Sequence, residues 1–251
     1  MTSRVETGAP RVGVVGSGRL GTALAAGLRA AGIDAYGPAG RGEVPAAEAI
    51  VLCVPDSEIA GAAATVAGKT RFVGHTSGAT PLAALAPAGA QAFGLHPLQT
   101  FTADSGPELF RGAGCAIAGA TTEALALARW LAEALGMRTF EIDDEGRAAY
   151  HAAASIASNF LITLEQAAER VAGGAGLDPA EARTLLAPLV RCTVENWAKL
   201  GPERALTGPV ARGDEQTVAA QRRAVAETAP QLLALFDELV ERTRDLARVP
   251  A

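Results

Sequence analysis

The sequence predicts an open, doubly wound α/β sheet followed by an all-helical domain, and three observations support this fold class. First, the apolar run Arg11–Val15 leads into a Gly-x-Gly-x-x-Gly turn, and an Ala- and Leu-rich segment follows that turn. Second, short apolar runs alternate with helix-like segments as far as Ile142. Third, strand patterns stop after Asp143. We therefore expect two domains, which cover residues 10–142 and 143–251.

The turn after the first strand has the residue pattern of a dinucleotide-binding site. Gly16 is expected to form the tight turn, Gly18 to let the backbone approach a diphosphate, and Gly21 to let the helix pack closely against the strand. The N–H groups and the dipole of the new helix attract such an anion. The predicted cofactor-binding residues here are Gly16, Ser17, Gly18, Arg19, Leu20 and Gly21. A purely structural glycine-rich turn is the alternative.

The second strand, predicted at Ile33–Tyr36, indicates which cofactor the turn would take. A site for NAD has an Asp or Glu roughly 20 residues beyond the first glycine, where the acid binds the ribose hydroxyls. Residues 36–40 contain no acid, and Arg41 follows them. Because a cation without an acid suits the additional phosphate of NADP, Arg41 is predicted to bind that group. The alternative is that Arg41 is an ordinary solvated loop residue.

Apolar patterns also predict the remaining elements of the first domain. Ala49–Val54 is a continuous apolar run, which is typical of a strand buried on both faces of a parallel sheet. The link from Tyr36 to this strand is too short for a full crossover unit. The other predicted strands are Arg71–Gly74, Ala92–Leu95, Cys115–Ala118 and Arg138–Ile142, and the predicted helices are Leu20–Ala30, Ser57–Ala67 and Glu123–Leu135.

The second domain is predicted to contain helices only. One long helix covers residues 146–172. The next begins at Asp178-Pro179, where a capping residue precedes a proline in the first helical position, and it runs to about Leu200. Pro188 lies inside this helix and is expected to kink it. After a loop at residues 207–214, the last two helices are predicted at Glu215–Glu227 and Pro230–Arg248.

Composition and charge exclude several classes of protein. The net charge of −5 and the lack of a long basic block argue against nucleic acid or an anionic membrane as a partner. Apolar runs are short and interrupted, so no membrane span is expected. Residues 1–8 contain no apolar segment of the kind found in secretory signals. We therefore expect a cytoplasmic protein.

The rare side chains limit the chemistry further. Cys53, Cys115 and Cys192 are an odd and scattered set, which indicates free thiols rather than disulfides or a metal site. Lys69 and Lys199 are the only lysines, which argues against Schiff-base chemistry.

The three histidines of the chain are candidates for proton transfer. His75 and His96 follow predicted strands, where ligands of open α/β sheets bind, and His151 lies near the start of the long helix. Ser155 and Asn159 follow His151 at steps of four residues, so an α-helix places all three on one face. We expect this polar face to line a cleft against the first domain. For any single histidine, a structural role is the alternative.

The loop at residues 207–214 presents two charges. Arg212 is predicted to hold a substrate carboxylate through two parallel hydrogen bonds. Asp214 has a plausible structural role, because it precedes a predicted helix and could cap it.

Together these motifs resemble those of one family, the bacterial Rossmann-like proteins that have a helical C-terminal domain of unknown function and are often labelled NADP- or F420-dependent oxidoreductase-like. The motifs that carry the resemblance are the glycine turn, Leu52-Cys53-Val54-Pro55-Asp56, Gly74-His75-Thr76-Ser77-Gly78, Gly94-Leu95-His96-Pro97, Tyr150-His151 with Ser158-Asn159, and residues 207–214. The resemblance covers nearly the whole chain. It adds Val54, Pro55, His75 and Ser77 to the predicted cofactor-binding residues.

The family is similar to a larger set of two-domain dehydrogenases, which includes 6-phosphogluconate dehydrogenases and ketopantoate reductases. Ketopantoate reductases carry Lys-x-x-x-Asn-x-x-x-Asn on the helix after the nucleotide domain, and the similar positions here are His151, Ser155 and Asn159. Asp214 is a plausible counterpart of their late acidic residue. The turn at His96 is also similar to one in prephenate dehydrogenases.

The resemblance implies an NADPH-dependent reductase of a small 2-oxo acid, similar to ketopantoate reductase, with a homodimer formed by the helical domain. His151 would be the general acid, Ser155 and Asn159 would orient the carbonyl group, Arg212 would bind the carboxylate, and His96 would line the pocket. Two different functions stay open. One is an F420-dependent reductase or an imine reductase similar to pyrroline-5-carboxylate reductases, and the second is a dinucleotide-binding sensor without turnover.

Overall fold

The computed structural model of the protein describes residues 10–248. The N-terminal residues that lack a signal pattern lie outside this range. The chain divides into two compact units between Ser158 and Asn159. The change from strands to helices occurs earlier, because the last strand ends at Glu141.

The first unit contains a seven-stranded sheet with the strand order β2-β1-β3-β4-β5-β6-β7. All neighbouring strands are parallel except β5 and β6, which are antiparallel. The strands are β1 Val12–Val15, β2 Ala35–Ala39, β3 Ala49–Leu52, β4 Phe72–His75, β5 Gln91–Leu98, β6 Gly114–Gly119 and β7 Arg138–Glu141. The predicted fold class is confirmed.

Three helices cover the sheet: α1 Arg19–Ala30, α2 Ile59–Thr65 and α3 Thr122–Ala134. Buried side chains of α1 and α3, such as Leu24 and Leu131, form one core cluster with Val12 and Phe93. Ile59 of α2 belongs to a second cluster. Because both faces are covered, every residue of β1, β3 and β4 is buried, which explains their continuous apolar runs.

The connection from β2 to β3 spans residues 40–48 and contains no helix, so the sheet lacks one crossover unit there. As a result, β3 pairs with β1 on the side opposite β2. The order of the strands therefore reverses at β1, and ligands of open α/β sheets bind at such a point. The glycine-rich turn follows β1 at this position.

Helices follow the sheet. They are α4 Arg147–Ser155, α5 Leu161–Ala172, α6 Pro179–Leu200, α7 Pro202–Ala205, α8 Glu215–Thr228 and α9 Leu233–Ala247. The predicted helix at 146–172 is not uniformly α-helical, because a π-helical turn, Ile156–Phe160, separates α4 from α5. The predicted start of α6 is correct, since Asp178 Oδ1 accepts hydrogen bonds from the N–H groups of Ala180 and Glu181.

Within residues 10–248, every helix is too short or too polar to cross a membrane.

Candidate functional site

The glycines of the first turn differ in how closely other atoms surround them. Gly16 has a φ of +109°, and a Cβ atom there would lie 2.2 Å from the carbonyl oxygen of Cys53. A Cβ at Gly21 would lie 1.9 Å from the carbonyl oxygen of Gly16, so a side chain cannot fit at either position. At Gly18 no atom would lie within 4 Å of the added Cβ. The turn is therefore tightly packed at both ends and open in the middle, where a diphosphate would approach.

Helix α1 begins at Arg19 without a capping side chain, because its N-cap residue is Gly18. The first N–H groups of a helix have no partner inside the helix, and they attract anions. The backbone at Arg19 and Leu20 thus suits a phosphate group better than a helix start with its own Ser or Asp cap.

A cleft of about 600 Å³ opens beside this turn. It is lined by residues 15–18, 40–42 and 53–55, and by Glu58, Gly61, Ala62 and Thr65. Of the predicted cofactor residues, the structure brings Gly16, Ser17, Gly18, Arg41, Val54 and Pro55 together here. Arg19, Leu20, Gly21, His75 and Ser77 do not line this cleft.

Arg41 is paired with a carboxylate that lines the same cleft. Its Nη2 atom lies 2.8 Å from both carboxylate oxygens of Glu58. Glu58 was not singled out in the sequence, because its position in an ordinary Ala-rich helical segment gives no sign that it faces Arg41.

A second group of polar side chains lies on β4, β5 and α4. His75 is the last residue of β4, and His96 lies inside β5 rather than after it, because this strand extends to Leu98. The Nδ1 atom of His96 lies 2.6 Å from the hydroxyl oxygen of Tyr150 on α4. The rings of His96 and His151 are 6.4 Å apart. The structure therefore brings His96, Tyr150 and His151 together, and we call them the histidine cluster.

Gly78 allows the two imidazoles of this cluster to approach one loop. A Cβ atom at Gly78 would lie 3.0 Å from Nε2 of His96 and 3.1 Å from Nδ1 of His151. Both rings thus pack against the backbone of the loop that follows β4, and any side chain there would displace them.

Burial shifts the pKa values of His96, Tyr150 and the nearby His75 so that their uncharged forms are favoured. It lowers the pKa of His96 to about 4, and nearby His151 adds to that effect. Burial likewise lowers the pKa of His75 to about 4, with a further contribution from Arg147. Burial raises the pKa of Tyr150 to about 12. At neutral pH, His96 and Tyr150 therefore share a hydrogen bond between two neutral groups.

Arg147 and Tyr150 were not among the site residues predicted from the sequence, although Tyr150 belongs to one of the motifs that carry the family resemblance. Only 3% of the Arg147 side chain is exposed, and its Nε atom donates a 2.7 Å hydrogen bond to Asp144. Its Nη2 atom is buried without a hydrogen-bond partner in the described chain. Such a cation opposes protonation of His75 and His96. The sequence signal that could have identified both residues is their position within four residues of His151.

The loop after β4 is held by Ser77. Its Oγ atom donates to Oδ2 of Asp56 at 2.8 Å and accepts from the N–H groups of Ala79 and Thr80. The N–H group of Ser77 donates to Nδ1 of His75 at 3.2 Å. These contacts give Ser77 a role in shaping the loop.

The polar face predicted from His151 to Asn159 does not follow one α-helix. Ser155 is the last residue of α4, and Asn159 lies within the π-helical turn. Because a π-helix forms i→i+5 hydrogen bonds, the α-helical spacing of four residues does not hold between them. The assumption of a continuous α-helix was wrong at this point.

Asp214 caps helix α8 in the second unit. Its Oδ1 atom accepts from the N–H of Thr217, and its Oδ2 atom accepts from the hydroxyl of the same residue at 2.7 Å. These bonds hold the pKa of Asp214 below its usual range. Arg212 is exposed, and among residues 10–248 it forms no salt bridge.

The cysteines are free thiols. Burial raises the pKa values of Cys53 and Cys115 to about 12, so neither is a ready nucleophile. In the described part of the chain, no three His, Cys, Asp or Glu side chains are grouped so that they could hold a metal ion.

Comparison with known proteins identifies a family and a fold. The family described as "Domain of unknown function (DUF2520)" matches residues 113–243. No curated protein sequence matches the chain. Protein TM1727 from Thermotoga maritima is 26% identical, with a TM-score of 0.81 over 95% of this chain and 100% of that one.

Two further solved structures share the fold at lower identity. BF3122 from Bacteroides fragilis, provisionally named an NADP oxidoreductase, is 23% identical, with a TM-score of 0.79 over 94% of this chain and 98% of that one. The pyrroline carboxylate reductase of Plasmodium falciparum, solved with NADP bound, is 13% identical, with a TM-score of 0.59 over 95% of this chain and 98% of that one.

Proposed function

The chain belongs to the DUF2520 family, and we propose that it is an NADP-dependent reductase whose cofactor binds in the cleft beside the glycine turn. The observation that carries this proposal is the open backbone at Gly18, which faces a cleft of about 600 Å³ at the point where the strand order reverses. A tight turn that served only to connect β1 and α1 would not need an open middle glycine.

The residues of the cleft and the adjoining start of α1 fit the parts of NADP. The uncapped start of α1 suits the diphosphate, since free N–H groups and the helix dipole favour an anion. Arg41 is the cation available for the 2′-phosphate, and it lines the same cleft. Small residues of α2, Gly61 and Ala62, leave room for the flat adenine ring.

The histidine cluster supports a reduction in which a proton follows a hydride. When bound, NADPH supplies the hydride that adds to the carbonyl carbon of the substrate. We assign His151 as the group that donates the proton to the carbonyl oxygen, because it is exposed and packs beside His96. The hydrogen bond between His96 and Tyr150 fixes the neighbouring ring, so that His151 has a defined surface to pack against.

For the substrate, we propose a small 2-oxo acid, with ketopantoate as the first compound to test. Arg212 remains our candidate for binding its carboxylate, because a guanidinium can form two parallel hydrogen bonds with a carboxylate. Ser155, which shares α4 with His151, remains the candidate for orienting the carbonyl group, and Asn159 becomes a weaker candidate because it lies in the π-helical turn. Asp214 becomes a weaker candidate, since both of its carboxylate oxygens already accept hydrogen bonds from Thr217.

A reductase of cyclic imines is the second candidate function. The shared fold with a pyrroline carboxylate reductase that binds NADP supports testing this substrate class. His151 could protonate an imine nitrogen in the same way as a carbonyl oxygen. A cofactor panel distinguishes both reductases from an enzyme that uses reduced F420 as its hydride donor, and a turnover assay distinguishes them from a sensor.

Thermal stability with single cofactors tests the proposal. A cofactor at about 100 times its Kd should stabilise the fold by about 2.7 kcal/mol and raise the melting temperature. We expect a shift with NADPH, followed by NADPH oxidation when ketopantoate or pyrroline-5-carboxylate is added. A shift with reduced F420 alone would identify a different donor. No shift with NADPH, NADH or reduced F420 would contradict the proposal.

The exposed apolar side chains of α6 support a second copy of this chain as the partner of the helical unit. Only Ala182 of its 22 residues is buried. Leu185, Leu189 and Trp197 are 59%, 63% and 57% exposed. Exposed apolar surface of this kind marks interaction sites, so we propose a homodimer in which α6 is covered. Light scattering should give twice the chain mass, and the Leu189→Asp variant should give the mass of one chain.

A further inference from the structure

The cleft beside the glycine turn contains one cation and one acid among the described residues that line it, and the two are paired. Nη2 of Arg41 lies 2.8 Å from both carboxylate oxygens of Glu58. The side chains are 85% and 43% exposed, respectively. Exposed pairs of this kind contribute little to folding stability, so the pair can be broken at small cost. Its position in the cleft therefore matters more for a ligand than for the fold.

We propose that Glu58 is a specificity-determining residue that competes with the 2′-phosphate of NADPH for Arg41. This inference rests on the proposed function, because it requires a dinucleotide in the cleft. A phosphate monoester carries about 1.5 to 2 negative charges near pH 7, whereas a carboxylate carries one. The phosphate therefore displaces the carboxylate from Arg41, but Glu58 lines the same cleft, so its negative charge repels the phosphate.

The carboxylate has a different effect on NADH. A ribose hydroxyl has no charge to repel, and it can donate a hydrogen bond to a carboxylate oxygen. Glu58 therefore lowers the affinity for NADPH without lowering that for NADH. The chain consequently has a smaller preference for NADPH than Arg41 alone would give.

The neighbouring acid, Glu43, does not have this role. Its Oε2 atom accepts a 2.9 Å hydrogen bond from the N–H group of Gly40, and Glu43 does not line the cleft. Substitution of Glu58 alone therefore tests the competition.

The Glu58→Gln variant removes the charge and keeps the size of the side chain. We expect it to bind NADPH about fivefold more tightly than the parent protein, which is about 1 kcal/mol at 25 °C. NADH should bind equally well or more weakly. Titration of the fluorescence of each reduced nucleotide gives the two Kd values. The gain for NADPH should shrink at high ionic strength, because salt screens exposed charges.

Two further variants separate competition from a general change in charge. Glu123→Gln breaks another exposed pair, with Arg71 at 2.6 Å, and changes the net charge equally outside the cleft. It should leave the Kd for NADPH unchanged. In an Arg41→Ala background, Glu58→Gln should give a smaller gain, since there is no guanidinium to release.

The results distinguish this inference from the proposed function. If the parent protein binds NADPH and Glu58→Gln binds it no more tightly, the inference is wrong and the proposed function stands. An equal gain in the Arg41→Ala background would also overturn it. If the parent protein binds neither NADPH nor NADH, the proposed function fails, and the inference fails with it.

Discussion

Replacement of His75 by Asn should remove a defined part of the acid sensitivity of the first compact unit. His75 is fully buried, and burial, together with Arg147, lowers its pKa from 6.5 to about 4. The unfolded chain therefore takes up this proton below about pH 6.5, whereas the folded chain takes it up only near pH 4. The contribution of the neutral imidazole to the free energy of unfolding is therefore complete above about pH 6.5, and it is lost as the pH falls toward 4.

The expected loss follows from the width of this pH window. Lowering the pH from about 7.5 to about 5 takes it roughly 1.5 pH units below the pKa of histidine in the unfolded chain. Each of these pH units lowers the free energy of unfolding by about 1.36 kcal/mol. His75 should therefore destabilise the parent protein by about 2 kcal/mol over this range. In the parent protein, the N–H group of Ser77 donates to Nδ1 of His75 at 3.2 Å. The Asn side chain still offers an acceptor for this N–H group, but Asn does not titrate. Titratable groups distant from residue 75 behave alike in both proteins, so their effects cancel in the comparison.

Urea unfolding at the two pH values provides the measurement. The chain has two tryptophans. Trp197→Phe leaves Trp130 on α3, which packs against the larger core of the first unit, as the only tryptophan reporter. In the Trp197→Phe background, the free energy of unfolding of His75→Asn should fall by about 2 kcal/mol less between pH 7.5 and pH 5 than that of its parent. If both proteins lose the same amount, His75 is not held neutral by burial and the reasoning is wrong.

Three more predictions concern the proposed site. Gly18→Ala should melt at the same temperature as the parent protein, since its Cβ meets no atom within 4 Å, but it should bind NADPH at least tenfold more weakly in a titration. As a contrast, Gly21→Ala should fold poorly in the same melting assay, because its Cβ would lie 1.9 Å from a carbonyl oxygen. His151→Ala should reduce turnover about 10²- to 10⁴-fold with little change in the Kd for NADPH, and unchanged turnover would remove His151 from the mechanism. Tyr150→Phe breaks the 2.6 Å contact with His96 and should cost about 1 kcal/mol in urea unfolding; an unaltered stability would show that the contact contributes nothing.

The sequence predicted the first strand, turn and helix well because local rules determine them. Gly16 and Gly21 are needed for steric reasons that follow from a strand–turn–helix connection alone. The start of α6 at Asp178-Pro179 was equally predictable, since capping depends on neighbouring residues in the chain. Arg41 was expected in the cofactor site because it follows β2, and the structure brings it into the cleft.

Several features were not predictable because they depend on contacts between distant residues. The pairing of Glu58 with Arg41 joins residues 17 positions apart, and the Nη2 atom of the buried Arg147 lies close to Gly94, a residue of β5 that is distant in the chain. The length of β5, which includes His96, follows from its antiparallel pairing with β6. Periodicity also could not distinguish an α-helix from one with a π-helical turn, so the spacing that led to Asn159 was misleading.

One short segment, residues 53–58, contacts both parts of the proposed site. At its start, a carbonyl oxygen packs so closely against Gly16 that no side chain fits there. In its middle, Asp56 accepts the hydrogen bond from Ser77 that holds the loop beneath the histidine cluster. At its end, Glu58 binds Arg41, the cation of the cleft beside the glycine turn. Residues 53–58 make all three contacts, so this segment links the cleft to the loop against which His96 and His151 pack. The proposed transfer of a hydride and a proton to one substrate needs two donors that are held in register, and a short shared segment is one way to provide this.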